Sequence, residues 1–125
     1  MMDTNFGTIR SALVGSGHIS EQHLISLRSI PDCTVVGVCD LSRAAAEYTA
    51  AHCGARSYTD LDAMLAQTKP HVVHVLTPPA SHEAIVRSAL TSGAHVLCEK
   101  PLALSGAATH RLLNEADRMG LRLFE

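Results

Sequence analysis

Residues 9–20, with the sequence IRSALVGSGHIS, contain the pattern that decides the fold. The apolar run Ile9–Val14 has the length and composition of a buried β-strand, and a helical pattern follows the glycine-rich turn after it. The turn matches the G-x-G-x-x-G fingerprint of dinucleotide-binding folds, with Ser20 in the third glycine position. In that fingerprint Gly15 permits the tight turn and Gly17 lets a pyrophosphate approach the backbone. A small serine still allows the helix to pack on the strand.

Outward from this turn, short apolar runs alternate with helical stretches. We predict strands at Ile9–Val14, Thr34–Cys39, Ala55–Tyr58, Val72–Leu76, His95–Cys98 and Leu121–Phe124. We predict helices at His18–Ile30, Ser42–His52, Leu61–Gln67, Ser81–Ser92 and Ser105–Met119, with Ser42 as an N-cap and Gly54 and Gly120 as stops. Such alternation is typical of parallel βαβ units. We therefore expect an α/β fold, a doubly wound Rossmann sheet of strand order 3-2-1-4-5-6, forming one dinucleotide-binding domain over residues 1–125.

Length, composition and charge exclude several classes of protein. A chain of 125 residues that is 46% hydrophobic and 18% charged has the size and composition of one globular domain, and with only 3% aromatic residues its core must be aliphatic. A net charge of −2 without a Lys/Arg block argues against nucleic-acid or anionic-membrane binding. The first ten residues lack a signal-peptide pattern, and no apolar run has membrane-spanning length. We expect a cytoplasmic protein.

The cysteines and histidines are not arranged as a metal site. Four cysteines, at positions 33, 39, 53 and 98, form no C-x-x-C pair, and three of them lie in or beside apolar runs. We predict reduced, buried thiols. The eight histidines are scattered over strands and helices without metal-ligand spacing, so we predict no bound metal.

A carboxylate follows the second predicted strand. Asp40 comes 23 residues after Gly17, where the fingerprint places the acid that accepts hydrogen bonds from the adenosine ribose. A carboxylate there repels a 2′-phosphate and favours NAD over NADP, whereas the nearby Arg43 can attract that phosphate, so NADP is the less favoured alternative. The other alternative is that the glycines form an ordinary turn and Asp40 is a solvated loop acid.

Two more loops follow the fourth and fifth predicted strands. Ligands of open α/β sheets bind beyond the carboxyl ends of the strands, so residues 77–82 and the Glu99-Lys100-Pro101 loop are candidate site segments. Pro101 biases Lys100 towards an extended backbone that aims its side chain out of the strand end. The ammonium could hold a substrate hydroxyl or the nicotinamide amide, and Glu99 could pair with Lys100 or orient it.

Four segments together resemble the N-terminal domain of the glucose–fructose oxidoreductase, inositol dehydrogenase and rhizopine-catabolism (Gfo/Idh/MocA) family. They are VGSGHISEQH (Val14–His23), VGVCD (Val36–Asp40), TPPASH (Thr77–His82) and GAHVLCEKPLA (Gly93–Ala103). The last is the most specific, since Glu-Lys-Pro after a Gly-Ala-His-Val strand is close to a family signature. The resemblance extends from Ile9 to Phe124.

The resemblance implies an enzyme that transfers hydride between a nicotinamide cofactor and a sugar, polyol or related secondary alcohol. It also implies a second domain that shapes the substrate pocket, which we expect to be absent from this chain. We therefore expect a cofactor-domain fragment with little turnover alone, and an apolar patch near the last helix or strand that favours homo-oligomers. The alternative is a stand-alone nucleotide-binding module, a sensor or assembly partner, but such a module has no need of Glu99-Lys100-Pro101.

The resemblance also implies roles for individual residues. It implies cofactor contacts for Gly15, Ser16, Gly17, His18, Ile19, Asp40, Arg43, Thr77, Pro78, His82, Glu99 and Lys100. Lys100 is the candidate catalytic residue. Two simpler readings stay open: His82 as a residue that hydrogen-bonds the backbone, and His18 as merely exposed. We expect His23, within the first helix, to be structural.

Overall fold

The computed structural model describes residues 7–125. Its strands are β1 (Ile9–Val14), β2 (Cys33–Cys39), β3 (Arg56–Tyr58), β4 (Val72–Val75), β5 (His95–Cys98) and β6 (Leu123–Phe124). Its helices are α1 (Ile19–Arg28), α2 (Arg43–Cys53), α3 (Leu61–Thr68), α4 (His82–Thr91) and α5 (Gly106–Met119). The element order is the predicted one. Within the described residues, no helix is both long and apolar enough to cross a membrane.

The six strands form one parallel sheet in the order β3-β2-β1-β4-β5-β6, which confirms the predicted topology. The chain builds outward from β1 to β3 and then returns to place β4 on the other side of β1. The direction of winding therefore reverses between β1 and β4, and this reversal opens a crevice at their carboxyl ends. Each candidate loop named above follows the carboxyl end of a strand and therefore lies at this edge of the sheet.

The core is aliphatic, as the low aromatic content predicts, and it is divided by the sheet. On one face, Leu13 and Val38 of the strands pack against Leu24 and Leu27 of α1 and against α2. On the other face, a larger cluster joins β1, β4 and β5 to α3, α4 and α5. Successive strand residues point to opposite faces, so near-continuous apolar strands are required to serve both layers.

Local sequence signals explain most element boundaries. Ser42 is the N-cap of α2 and its hydroxyl accepts a hydrogen bond from the Ala45 N–H, as predicted. Gly54 and Gly120 are the C-caps of α2 and α5, again as predicted. Ser81 differs from expectation, because a single 3₁₀ turn over Pro79–Ser81 precedes α4. Its hydroxyl lies 2.6 Å from the Thr77 hydroxyl and 2.8 Å from the Pro78 carbonyl instead of capping the helix.

The turn after β1 depends on Gly15. Its φ is +100°, and a Cβ placed on it would lie 2.9 Å from the main-chain carbon of Leu76 and 3.0 Å from the Thr77 nitrogen. Its N–H donates to the Cys39 carbonyl at 2.8 Å. The turn is therefore wedged between the ends of β2 and β4, and only a residue without a side chain fits there.

Replacing Gly15 with alanine should lower the free energy of unfolding by about 3 kcal/mol, because positive φ and overpacking against main chain both cost energy. Chemical denaturation followed by circular dichroism measures this change. Gly106→Ala is the matched control, since a Cβ there meets no atom within 4 Å and φ is not positive. Equal stability of the two variants would contradict the prediction.

Candidate cofactor-binding site

The turn between β1 and α1 presents unpartnered main-chain donors to solvent. Among the described residues, no hydrogen bond engages the N–H groups of Gly17, His18 and Ile19. His18 precedes α1 without a side-chain capping bond, and a Cβ on Gly17 would meet nothing within 4 Å. Free N–H groups at a helix N-terminus, beside space that a side chain would otherwise fill, suit a phosphate. The turn therefore fits the pyrophosphate of a dinucleotide.

Ser20 does more at the third glycine position than allow helix packing. Its side chain is buried, and its hydroxyl donates to the Gly17 carbonyl at 2.6 Å. The Ser20 N–H donates to the same carbonyl at 3.1 Å. Both hydrogen bonds direct the Gly17 carbonyl towards the start of α1 and away from the free N–H groups. A carbonyl oxygen beside those groups would repel an anion, so this orientation favours anion binding at the turn.

Asp40 is held by three hydrogen bonds at the end of β2. Its Oδ2 accepts from the Ser16 N–H at 2.9 Å and the Ser16 hydroxyl at 2.8 Å, and its Oδ1 accepts from the Ser42 N–H at 2.8 Å. Desolvation by burial raises the pKa of Asp40, but the bonds from Ser16 and Ser42 outweigh it, so the pKa lies below the usual value. The side chain is a fixed anion that is not a freely solvated loop acid.

The hydrogen-bond capacity of Asp40 is nearly filled by the protein. A carboxylate offers about four acceptor positions, and the Ser16 and Ser42 bonds use three of them. One acceptor position on Oδ1 is left for a ribose hydroxyl. A second becomes available if the Ser16 hydroxyl rotates away, because that bond is the one made by a freely rotating donor.

An apolar cavity lies beside Asp40, and we call it the β2–β4 cavity. It has a volume of about 460 Å³ and lies at the carboxyl ends of β1 and β2 against the loop after β4. Its lining includes Cys39, Leu41, Pro78 and Ile85, with Thr77 among the polar members. A mostly apolar cavity with a carboxylate at its rim suits a flat heterocycle joined to a ribose.

Arg43 is not part of this cavity. It is the first residue of α2, its side chain is exposed, and the described residues offer its guanidinium no hydrogen bond or ion pair. Arg43 is close to Asp40 along the chain, but it does not line the β2–β4 cavity.

A second cavity, the β5 cavity, lies at the end of β5. It has a volume of about 310 Å³ and is lined by His23, Leu97, Cys98, Glu99, Lys100 and Glu125. Lys100 is exposed, the peptide bond between Lys100 and Pro101 is cis, and no residue within 7–125 hydrogen-bonds or ion-pairs with the ammonium. Of the two roles left open for Glu99, pairing with Lys100 is not the one observed.

Glu99 instead pairs with a histidine of α1. The Nε2 of His23 lies 2.8 Å from Glu99 Oε1, and the Nδ1 of His23 lies 2.8 Å from the Nδ1 of His74 in β4. The two rings meet edge to face, with centroids 5.1 Å apart. Burial, together with repulsion from His23, lowers the pKa of His74 to about 4, so its ring is neutral at pH 7.

Sequence reasoning missed this network. The sequence predicts only a structural role for His23 and leaves His74 among the scattered histidines. Both residues lie in segments that flank the crevice. That position is the only indication of the network in the sequence. Their pairing depends on how α1 lies across β4, and no spacing rule encodes that packing.

His82 is placed differently from the cofactor contact that the family resemblance implies. Its side chain has 0% exposure, and its two ring nitrogens lie 2.7 Å from the Pro101 carbonyl and 2.6 Å from the Thr77 carbonyl. It thus joins the loop after β4 to the loop after β5. A direct cofactor contact would require these loops to separate, because the ring has no surface facing the crevice.

Among the described residues, no group of three or more His, Cys, Asp or Glu side chains is arranged to hold a metal ion.

Comparisons with known proteins agree with the observed fold and with the geometry of the glycine turn. Residues 9–125 match the family model described as an oxidoreductase family with an NAD-binding Rossmann fold. The chain is 32% identical over 118 residues to scyllo-inositol 2-dehydrogenase (NADP(+)) IolU of Bacillus subtilis, covering 94% of this chain and 36% of that protein.

Two solved structures resemble the fold closely. The WlbA dehydrogenase of Chromobacterium violaceum, in complex with NADH and UDP-GlcNAcA, superposes with a TM-score of 0.88 at 34% identity, covering 94% of this chain and 34% of that one. GenD2 from gentamicin A biosynthesis, in complex with NAD, gives 0.91 at 31% identity, covering 99% and 36%.

The chain spans about a third of the length of these relatives. The match between residues 9–125 and the family model agrees with the glycine turn, the strand order and the Glu-Lys-Pro loop. The chain therefore belongs to the Gfo/Idh/MocA family of oxidoreductases and carries its NAD-binding Rossmann fold.

Proposed function

We propose that this chain binds a nicotinamide dinucleotide, NAD in preference to NADP, as the cofactor domain of a dehydrogenase acting on a sugar, polyol or related secondary alcohol. We also propose that residues 1–125 act as one dinucleotide-binding domain. The observation that carries the proposal is the fixed Asp40 carboxylate beside the open donors of the glycine turn. The relatives' sugar and inositol substrates support the alcohol class.

The geometry suggests how the dinucleotide would lie. The N–H groups of Gly17, His18 and Ile19 would bind its pyrophosphate, with Ser16 holding Asp40 towards the ribose. The adenine would enter the β2–β4 cavity, where Thr77 and Pro78 contribute lining. The nicotinamide end would then extend towards the β5 cavity with Glu99 and Lys100.

The preference for NAD follows from charge. An ionised Asp40 at the ribose repels a 2′-phosphate and accepts a hydrogen bond from a 2′-hydroxyl. Arg43 is exposed at the start of α2 and has no hydrogen bond or ion pair with the described residues, so no contact fixes its guanidinium beside the carboxylate. A 32%-identical relative is named for NADP(+) and a solved neighbour is in complex with NAD, so both cofactors occur among the relatives.

At the reacting end, Lys100 has the chemistry of a positioned proton partner. The nicotinamide ring, when bound, accepts or supplies the hydride. Oxidation of a secondary alcohol also releases the hydroxyl proton. A lysine near that hydroxyl can donate a hydrogen bond to it as an ammonium, and can accept its proton only as the neutral amine. Lys100 is free of protein partners among the described residues, so its amine can reach a ligand without first breaking an ion pair.

We further propose a cytoplasmic location. All four cysteines are free thiols. Burial raises the pKa of Cys39 to about 11 and that of Cys98 to about 12, so both stay protonated and unreactive. Free thiols of this kind are typical of proteins kept in a reducing compartment.

Self-association is also expected of this chain. Leu113, Met119 and Phe124, on or near α5 and β6, have 39%, 47% and 59% of their surface exposed. Apolar side chains exposed beside a short edge strand favour contact with a second copy. Light scattering over a concentration series should show dimers or larger species, and a monomer at high concentration would contradict this.

Replacing Asp40 with alanine should weaken NADH binding by about 1–3 kcal/mol, the size of a lost hydrogen bond to a charged group. NADPH binding should weaken less or improve, because the repulsion of its 2′-phosphate disappears. Fluorescence titration gives both dissociation constants. Asp117→Asn, far from the crevice on α5, should leave both unchanged. Unchanged NADH affinity in Asp40→Ala would remove Asp40 from the site.

Replacing Gly17 with alanine separates binding from folding. The new methyl group meets no protein atom within 4 Å, so the melting temperature should stay within experimental error. The methyl would occupy the space proposed for the pyrophosphate, and NADH affinity should fall about tenfold or more, which corresponds to ~1.4 kcal/mol. Wild-type NADH affinity in a folded Gly17→Ala variant would place the pyrophosphate elsewhere.

A further inference from the structure

We propose that His23 is a positioning residue that keeps the Lys100 amine free for a bound ligand, by holding the carboxylate of the neighbouring Glu99. The inference rests on the proposed function in one respect: the freed amine is assumed to act on the ligand of the β5 cavity. The positioning itself is a property of this chain alone and can be measured without any ligand.

The first support is the direction of the Glu99 side chain. Glu99 precedes Lys100 in the sequence, so its carboxylate is close enough along the chain to be a possible partner of the ammonium. Here Glu99 Oε1 lies 2.8 Å from His23 Nε2, and no ion pair joins Glu99 to Lys100. An ionised carboxylate only accepts hydrogen bonds, so His23 Nε2 carries the hydrogen and donates it.

The second support is the residue behind His23. His23 Nδ1 and His74 Nδ1 are 2.8 Å apart, so one of the two atoms carries a hydrogen and the other accepts it. With its Nε2 hydrogen donated to Glu99, His23 meets His74 through Nδ1, its other ring nitrogen. His74 is buried in β4, an inner strand of the sheet that pairs with β1 and β5. The His23 ring is thus anchored on both nitrogens, from β4 and from Glu99.

The third support is that the other carboxylate of the β5 cavity is also occupied. Glu125 lines the cavity, and its Oε2 accepts the Leu102 N–H at 2.7 Å. Both acids that border Lys100 therefore have partners other than Lys100. The ammonium is left without a counter-ion in its own cavity, and this arrangement makes it available to an incoming hydroxyl or amide oxygen.

Removal of His23 should reverse this arrangement. A Glu99 side chain without its imidazole partner is free to rotate, and the nearest cation in its cavity is Lys100. The resulting ion pair would occupy the amine. The effect of His23 on Lys100 should therefore disappear when Glu99 is replaced as well, which is the signature of a residue that acts through another.

The test is competitive acylation of the two lysines of the chain. Lys69 and Lys100 are its only lysines, and both are exposed. Trace labelling with acetic anhydride followed by peptide mass spectrometry gives the ratio of Lys100 to Lys69 reactivity. Lys69 caps α3 at the opposite edge of the sheet and serves as the internal reference.

His23→Phe should lower the Lys100 to Lys69 ratio roughly threefold, the size expected when an exposed ion pair forms. The double variant His23→Phe with Glu99→Gln should restore the wild-type ratio, and Glu99→Gln alone should leave it unchanged. His110→Phe, at an exposed histidine of α5, is the matched control and should also leave it unchanged.

An unchanged ratio in a folded His23→Phe variant would overturn the proposal. So would a higher ratio in Glu99→Gln alone, because it would mean that Glu99 already holds Lys100 in the wild type. The Glu99 variant decides the question even if His23→Phe does not fold. If labelling behaves as expected but NADH neither binds nor protects Lys100, the proposed function fails while the positioning role of His23 stands.

Discussion

The close approach of the Gly15 turn to the end of β4 is the constraint on which the rest of the site depends. A Cβ at Gly15 would lie 2.9 Å from the Leu76 main chain, so the turn can reach this position only without a side chain. From there, Ser16 reaches the Asp40 carboxylate and α1 starts with its N–H groups facing the crevice. The reversal of winding between β1 and β4 creates the crevice, and the glycine lets the chain enter it.

The two ends of this crevice carry opposite charges. At the β2 end, three hydrogen bonds from Ser16 and Ser42 hold the Asp40 carboxylate, which fixes a negative charge and leaves one acceptor position for a ligand. At the β5 end, Glu99 and Glu125 are occupied by other partners and the Lys100 ammonium is left open. A fixed anion and a free cation along one sheet edge match a ligand with ribose hydroxyls at one end and a reacting oxygen at the other.

His82 shows how the loops at this edge are held together. Its buried ring spans the Thr77 and Pro101 carbonyls, and these belong to the loops that follow β4 and β5. The sequence placed His82 among the cofactor contacts by resemblance, with a backbone-bonding role as the alternative. A histidine at the start of a helix after a Pro-rich loop fits either role in sequence. Only the packing of α4 against both loops shows where its ring lies.

The sequence by itself determined the βα alternation, the strand order, the glycine turn and the acid after β2. These features rest on local chemistry: apolar strand runs, helix caps, and a glycine that the backbone requires. The tertiary structure alone decided that Glu99 pairs with His23 and not with its neighbour Lys100, that His74 stands behind it, and that Arg43 is left without a partner among the described residues. These pairings join residues 51 and 76 positions apart, and they depend on the angle at which α1 crosses the sheet. That angle is set by the packing of the whole core and by no single stretch of sequence.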